Sequence, residues 1–335
     1  RGLGDVYKRQ LSTSVVMATY NGEKNILEQL DSLLSQTKKI NEVLICDDCS
    51  TDNTVDIISS FIEKNNLSST WHLKINEKNL GWRKNFFHLL NLASQDIIFT
   101  CDQDDIWHET KIEEMSSLFR NKKIQVLVTD YHELVELGGL CEELKKVDTE
   151  KNEQQIEERV IFNENNLFLR RPGCVYAVRK EFIPQVNLYA SNMENPVHDM
   201  SMWGSAVLTN GLYLLRKPLI EWRKHGQSSF KKEIDQSNKE QLYYKRLMTL
   251  QRRLQRVEAA RNYLINNVTI VDYDKKKKLL DNLIKELEMR IYMLEKEKIR
   301  TVIFSFWKYK HKFYFGTDIY HLLKHKYKKL SLIHI

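Results

Sequence analysis

The sequence predicts an α/β fold in which a mostly parallel central sheet carries helices on both faces, followed by a basic, mainly helical region. Three observations carry this expectation. Between residues 14 and 129, short β-rich runs alternate with stretches of helical period. After Phe230 that alternation gives way to long patterns rich in Lys and Arg. With 335 residues at 42% hydrophobic, the chain is also long and apolar enough to bury a large core.

The expected strands are 14–18, 43–46, 71–75, 96–101 and 125–129, each a short run rich in β-branched or aromatic residues. Four helices fall between them. Leu27, Leu30, Leu33 and Leu34 are assigned to one face of the first, and Val55, Ile58, Phe61 and Ile62 to one face of the second. Ser50-Thr51-Asp52-Asn53 supplies N-cap chemistry for the second helix. Residues 130–166 are polar and acidic with little periodicity, and read as loops and a helix lining or covering a site. Beyond them, 173–179 reads as a strand, 199–208 as a helix closed by Gly211, and 212–215 as a further strand. Leu247, Leu250, Leu254 and Val257, then residues 279–294, give the spacing of an antiparallel helical pair. The expected division is one α/β domain over 11–230 and a basic helical region over 231–330. Residues 1–10 and 331–335 resemble translated adapter sequence, with frayed native termini as the plainer alternative, and are set aside.

Composition excludes several classes. Only 11 Gly and 4 Pro, with 10% aromatics, rule out collagen-like and low-complexity chains. No window approaches the ~18 consecutive apolar residues of a membrane span, and residues 1–30 lack signal-peptide order. Five cysteines in a chain of this length suit a reducing compartment rather than a disulfide framework, so a cytoplasmic protein is expected. Residues 231–330 hold 25 Lys and Arg against 12 Asp and Glu, a net of +13, and the chain's total of +7 leaves −6 over the remainder. An acidic front suits a bound cation, and a basic rear suits a polyanionic surface.

Ligands of parallel sheets bind beyond the carboxyl ends of strands, so the chemistry is expected after Ala18, after Cys46 and after Cys101. Asp102, Asp104 and Asp105 place three carboxylates within four positions there. Like charges at that density need a positive partner, and a hard divalent ion, Mg²⁺ or Mn²⁺, matches oxygen ligands and keeps phosphate in its shell. A solvated acidic turn is the plainer alternative. Asp47 and Asp48 end a second strand, where a carboxylate accepts from a base N–H or a sugar hydroxyl. Neither G-x-G-x-x-G nor a P-loop follows any strand, so bound phosphate would be held through metal.

Taken together, Ser14-Val15-Val16-Met17-Ala18-Thr19-Tyr20-Asn21, Asp47-Asp48-x-Ser50-x-Asp52, Asn79-Leu80-Gly81 and Asp102-x-Asp104-Asp105 resemble the family 2 glycosyltransferases of GT-A fold. The resemblance covers the first ~110 residues and is nearest to bacterial rhamnosyltransferases of polysaccharide and O-antigen assembly. It implies transfer of a sugar, with inversion, from a nucleotide diphosphate to an acceptor hydroxyl with Mg²⁺ or Mn²⁺. By the same resemblance Thr19, Tyr20 and Asn21 border the nucleotide base, Asp48 bonds it, and Asp104 faces the ribose. Asp105 and Asp102 hold the metal, and Asn79, Gly81 and Lys84 belong to a loop closing over the nucleotide. Tyr20 as a core aromatic and Lys84 as a solvated lysine are the alternatives.

The resemblance extends into the second half. Asp199, in Pro196-Val197-His198-Asp199-Met200, matches the position of an acidic catalytic base, or else merely caps its helix; His198 stands where the family often has Glu. Within Trp222-Arg223-Lys224-His225-Gly226, His225 would join the metal shell and Arg223 would neutralise phosphate. Gly173 would open the strand beside the donor sugar. A non-catalytic module that binds nucleotide sugars in an assembly complex is the alternative from another class. Expected partners are a dTDP- or UDP-sugar and a saccharide or lipid-linked saccharide acceptor, without nucleic acid. Phe304, Phe306, Trp307, Tyr309, Phe313, Tyr314 and Phe315 lie among lysines, a mixture that fits peripheral contact with the inner face of the cell membrane; nucleic acid would satisfy the same charges, and a basic helical pair docked on the catalytic domain is the plainer alternative.

Overall fold

The computed structural model describes residues 10–135, 146–150, 156–169, 171–224, 242–296, 307 and 312–331. Residues 1–9 and 332–335 of the expected tails, His225, and the aromatics Phe304, Phe306 and Tyr309 lie outside the described residues. The chain forms two compact units, one of residues 1–191 with 195–224 and the other of residues 192–194 with 225–335.

The first unit begins β1 (Thr13–Thr19), α1 (Ile26–Leu34), β2 (Glu42–Asp47), α2 (Thr54–Lys64), β3 (Trp71–Ile75), α3 (Trp82–Leu92) and β4 (Ile97–Cys101). It continues with β5 (Ile106–Trp107), α4 (Lys111–Leu118), β6 (Val126–Val135), β7 (Thr149–Glu150), β8 (Glu157–Val160) and α5 (Glu164–Leu167). Then come β9 (Tyr176–Arg179), α6 (Ile183–Ala190), α7 (His198–Leu208) and β10 (Leu212–Lys224). One sheet runs β3-β2-β1-β4-β9-β6-β10-β8-β7, with β5 paired to β10. The first four positions are parallel, as are β6 and β10, while β9 is antiparallel to both β4 and β6. Central β1 is covered on both faces, so Val15, Val16 and Met17 are all fully buried and the strand reads as a continuous apolar run.

The helices show where local pattern was enough. In α2 the expected face is seated, with Ile58, Phe61 and Ile62 buried, and Asp52 Oδ1 accepts from Thr54 N at 3.0 Å to cap its first turn. In α1 the buried apolar positions are Ile26, Leu30 and Leu33, whereas Leu27 and Leu34 are 50% and 43% exposed. At 100° per residue, Leu27 and Leu34 stand beside that stripe rather than on it.

Four further expectations are corrected. Gly173–Val175 is a 3₁₀ turn, and only Tyr176–Arg179 pairs as strand. The strand expected at 212–215 runs on to Lys224; Arg216, Lys217 and Pro218 disguise it, and the register shifts on both sides of Pro218 absorb the proline. Part of 130–166 is strand as well, because β6 continues to Val135 and β8 pairs with β10. After α7, Gly211 N closes the helix on the Ala206 carbonyl at 2.8 Å as expected, but the left-handed position is Asn210 at φ 59° rather than the glycine, an amide side chain being tolerant of that region.

Among its described residues the second unit contains α8 (Leu242–Ile265), α9 (Tyr273–Glu295) and α10 (Lys312–Ser331), three helices where a pair was expected. Leu250, Val257 and Leu264 of α8 and Leu280, Leu287 and Leu294 of α9 are buried. Asp318 of α10 is buried between Arg246 Nε and Arg290 Nε, each 2.8 Å away, which cross-links all three helices. No helix among the described residues is long and apolar enough to cross a membrane.

Candidate active site

Four parallel strands end side by side, and the loops after them are knitted together by side-chain hydrogen bonds. After β2, Asp47 accepts from Thr19 Oγ1 at 2.8 Å and from Ser50 N at 2.8 Å, so the Thr19 hydroxyl is buried in that bond. Asn21, in the left-handed region at φ 48°, donates its N–H to Ser50 Oγ and accepts from Thr51 N. Tyr20 is 47% exposed and free to offer its ring to a ligand. Sequence alternatives for Tyr20 as a core aromatic therefore lose their physical basis.

Asp48 organises the loop after β3. Its carboxylate accepts from Leu80 N and Gly81 N, both at 2.8 Å, and from Asn76 Nδ2 at 2.9 Å. Asn79 Nδ2 donates to the Asp48 carbonyl. Gly81 reaches this arrangement at φ +81°, a conformation open to glycine, and then starts α3. Lys84 is an exposed residue of that helix.

The turn after β4 holds the acidic cluster. Asp105 is fully buried; Arg223 N donates to its Oδ1 at 2.9 Å, and its Oδ2 has no hydrogen-bond partner. Burial and then the charge of Asp104 raise its pKa to about 7. Burial together with the charges of Asp105, Asp104 and Asp199 pushes Asp102 well above the ordinary carboxylate range. Asp102, Asp105 and Cys174 bring their ligand atoms within 4.8 Å of one another. A buried carboxylate oxygen without a partner, beside a second carboxylate, is the donor set a hard divalent ion requires. Burial first, then the charges of Asp105 and Asp102 and a hydrogen bond to the Asp105 carboxylate, hold the Cys174 thiol protonated, so it lines this place as a neutral group. The residues present fit Mg²⁺ or Mn²⁺ through Asp102 and Asp105.

Arg223 lies on β10, and its side chain spans the cluster instead of standing free. Nε donates to the Asp104 carbonyl at 2.7 Å and Nη2 pairs with Glu28 at 2.5 Å. Gly173 abuts β4, where Thr100 Oγ1 donates to its carbonyl. A Cβ at Gly173 would come within 2.7 Å of His198 Nε2, so the close approach here is made by a side chain of α7. Asp199, in the first turn of that helix, is half-buried and near enough for its charge to raise Asp102. His198 is buried, stacks on Phe86 at 4.1 Å, and has no partner for either ring nitrogen; burial lowers its pKa to about 3.

Two residues of this site escaped sequence reasoning. Lys111 is fully buried, donates to the Cys174 carbonyl at 2.9 Å and sits 3.3 Å from the Trp107 ring centroid. Burial brings its pKa down to about 7. Its signal is positional: it shares the buried face of α4 with Met115, four residues on, where a lysine is out of place. Gln103 grips the backbone of Tyr20, and only the fold brings the two together.

The sheet order and its flanking helices are those of the GT-A fold. The comparisons with known proteins agree. Residues 14–171 match the family model of glycosyl transferase family 2. Over 254 residues the chain is 29% identical to dTDP-rhamnosyl transferase RfbG of Shigella flexneri, covering 73% of this chain and 82% of that one. It is 32% identical over 125 residues to UDP-Glc:alpha-D-GlcNAc-diphosphoundecaprenol beta-1,3-glucosyltransferase WfaP of Escherichia coli, with 36% of this chain and 45% of the relative covered. It is also 32% identical over 117 residues to the putative glycosyltransferase EpsE of Bacillus subtilis (strain 168), 35% of this chain and 41% of EpsE. The matched stretch thus spans less than half of WfaP and EpsE. Staphylococcus aureus TarS 1–349 in complex with UDP-GlcNAc shares the fold at a TM-score of 0.57 and 18% identity, over 88% of this chain and 75% of that one.

Proposed function

We propose that this glycosyltransferase is metal-dependent and inverting, moving L-rhamnose from dTDP-rhamnose to a saccharide acceptor carried on a lipid. The observation that carries the metal reading is the unpartnered, buried Oδ2 of Asp105 beside Asp102. The donor is inferred from the likeness to RfbG, and the lipid-linked acceptor from the printed activity of WfaP. Held by Asp102 and Asp105, a divalent ion would offset the charge of the departing diphosphate.

The chain's own residues do the rest. Tyr20 offers a face to the base, and the Asn79-Leu80-Gly81 loop, fastened by Asp48, covers the nucleotide. Asp104 is assigned to the ribose, and Arg223 holds the acidic turn in place. Asp199 takes the proton of the acceptor hydroxyl as the new bond to the anomeric carbon forms and the bond to the diphosphate oxygen breaks. A single displacement needs one such base.

We also assign the second unit to the inner face of the cell membrane. Phe313, Tyr320 and Leu323 are exposed at helical spacing on α10, with Lys324 beside them, and the region carries its net +13. Apolar side chains among cations match an anionic lipid surface.

Transfer assays with dTDP-rhamnose, Mn²⁺ and a lipid-linked saccharide test the reaction. Asp199→Ala should lower turnover by about 10²–10⁴-fold. Asp105→Asn should remove the Mn²⁺ response. Full turnover in chelator would refute the metal role, and unchanged turnover in Asp199→Ala would refute its role as base.

A further inference from the structure

Gln103 stands between Asp102 and Asp104, yet its carboxamide turns away from them to the loop after β1. Tyr20 N donates to Gln103 Oε1 at 2.8 Å, and Gln103 Nε2 donates to the Tyr20 carbonyl at 3.1 Å. One side chain thus satisfies both backbone groups of one residue, as a neighbouring strand does. Gly22 leaves the room for it. A Cβ at Gly22 would lie 2.5 Å from Gln103 Oε1, 2.6 Å from Cδ and 2.9 Å from Nε2. Among the described glycines only Gly81 has positive φ, so Gly22 is not answering a backbone demand. Gly22 is anchored on its other sides, donating to Thr54 Oγ1 at 2.8 Å and accepting from Asn25 N and Ile26 N.

We propose that Gln103 is a positioning residue that locks Tyr20 and its loop to the acidic turn, so that nucleotide affinity depends on a side chain touching neither nucleotide nor metal. The inference rests on the reading of this site as the nucleotide-sugar site. Glutamine is the side chain that suits the task. Glutamate would keep the acceptor but lose the donor to the Tyr20 carbonyl and add charge to an already acidic turn. Asparagine is one methylene shorter.

The test titrates dTDP and UDP, each with Mn²⁺, into wild type, Gln103→Ala, Gly22→Ala and the double variant. Gln103→Ala is expected to weaken the nucleotide that wild type binds by about tenfold, the loss of two hydrogen bonds that order a loop. Gly22→Ala should weaken it comparably by displacing the carboxamide. The double variant should bind no worse than Gln103→Ala alone, because its new Cβ has nothing left to displace. Mn²⁺ affinity without nucleotide should stay within about twofold, and the donor KM should rise while kcat holds. If Gly22→Ala alone does not fold, restored folding in the double variant supports the lock and continued failure overturns it. Wild-type affinity in Gln103→Ala, multiplying losses in the double variant, or a matching loss of Mn²⁺ affinity would overturn the inference while leaving the site reading intact. Wild type binding neither nucleotide would overturn the site reading itself.

Discussion

The ammonium of Lys111 lies 3.3 Å from the centroid of the Trp107 ring, with no water-exposed surface. Burying a cation costs several kcal/mol unless charge nearby compensates; the carboxylates of Asp105 and Asp102 act in that direction, but burial outweighs them and brings the lysine's pKa down to about 7. The acidic cluster is therefore part-balanced by a cation of the chain's own.

That balance has a sign that can be measured. A like charge close to a divalent ion opposes its binding, so Lys111→Met should bind Mn²⁺ about tenfold more tightly without donor, an increment of ~1.4 kcal/mol. Electron paramagnetic resonance of free Mn²⁺ reads the change. Weaker binding would mean that the lysine's bond to the Cys174 carbonyl, rather than its charge, governs the site.

His198 should make stability depend on pH. Its pKa drops from 6.5 to about 3 because burial refuses the charged ring. Below pH 6.5 the unfolded chain takes up a proton that the folded imidazole does not. Its contribution is full above pH 6.5 and declines as pH falls towards 3, by about 1.4 kcal/mol per unit. Urea unfolding of His198→Phe, which keeps a ring against Phe86, should lack this slope. An unchanged slope would assign the pH dependence to other groups.

Asp48 should matter to stability and to donor binding together. Its carboxylate is the shared acceptor of Asn76, Leu80 and Gly81. Asp48→Ala leaves those three donors without it and should cost about 2–4 kcal/mol in urea unfolding, with a raised donor KM. Asp48→Asn retains one acceptor oxygen and should fall between the two. A raised KM with no loss of stability would show that the carboxylate acts on the ligand alone.

Much of this architecture is local in origin. The alternation that gives β1 to β4 and α1 to α3 follows from short apolar runs and helical periods, and Trp71–Ile75 matches its expected bounds. The motif residues from Ser14 to Asp105 are legible because they cluster after predicted strands. Where local pattern conflicts with pairing, it misleads: Arg216, Lys217 and Pro218 hide the middle of β10, which exists because β6 lies alongside it.

By itself, then, the sequence determined which strands and helices form around the front sheet, and which acidic and aromatic side chains stand at its carboxyl ends. Only the tertiary structure decided what those side chains do for one another. Asp48 and Gly81 are 33 positions apart, Tyr20 and Gln103 are 83 apart, and Asp105 and Arg223 are 118 apart. Hydrogen bonds and burial act over a few ångströms of space, whereas periodicity reports only on neighbours along the chain.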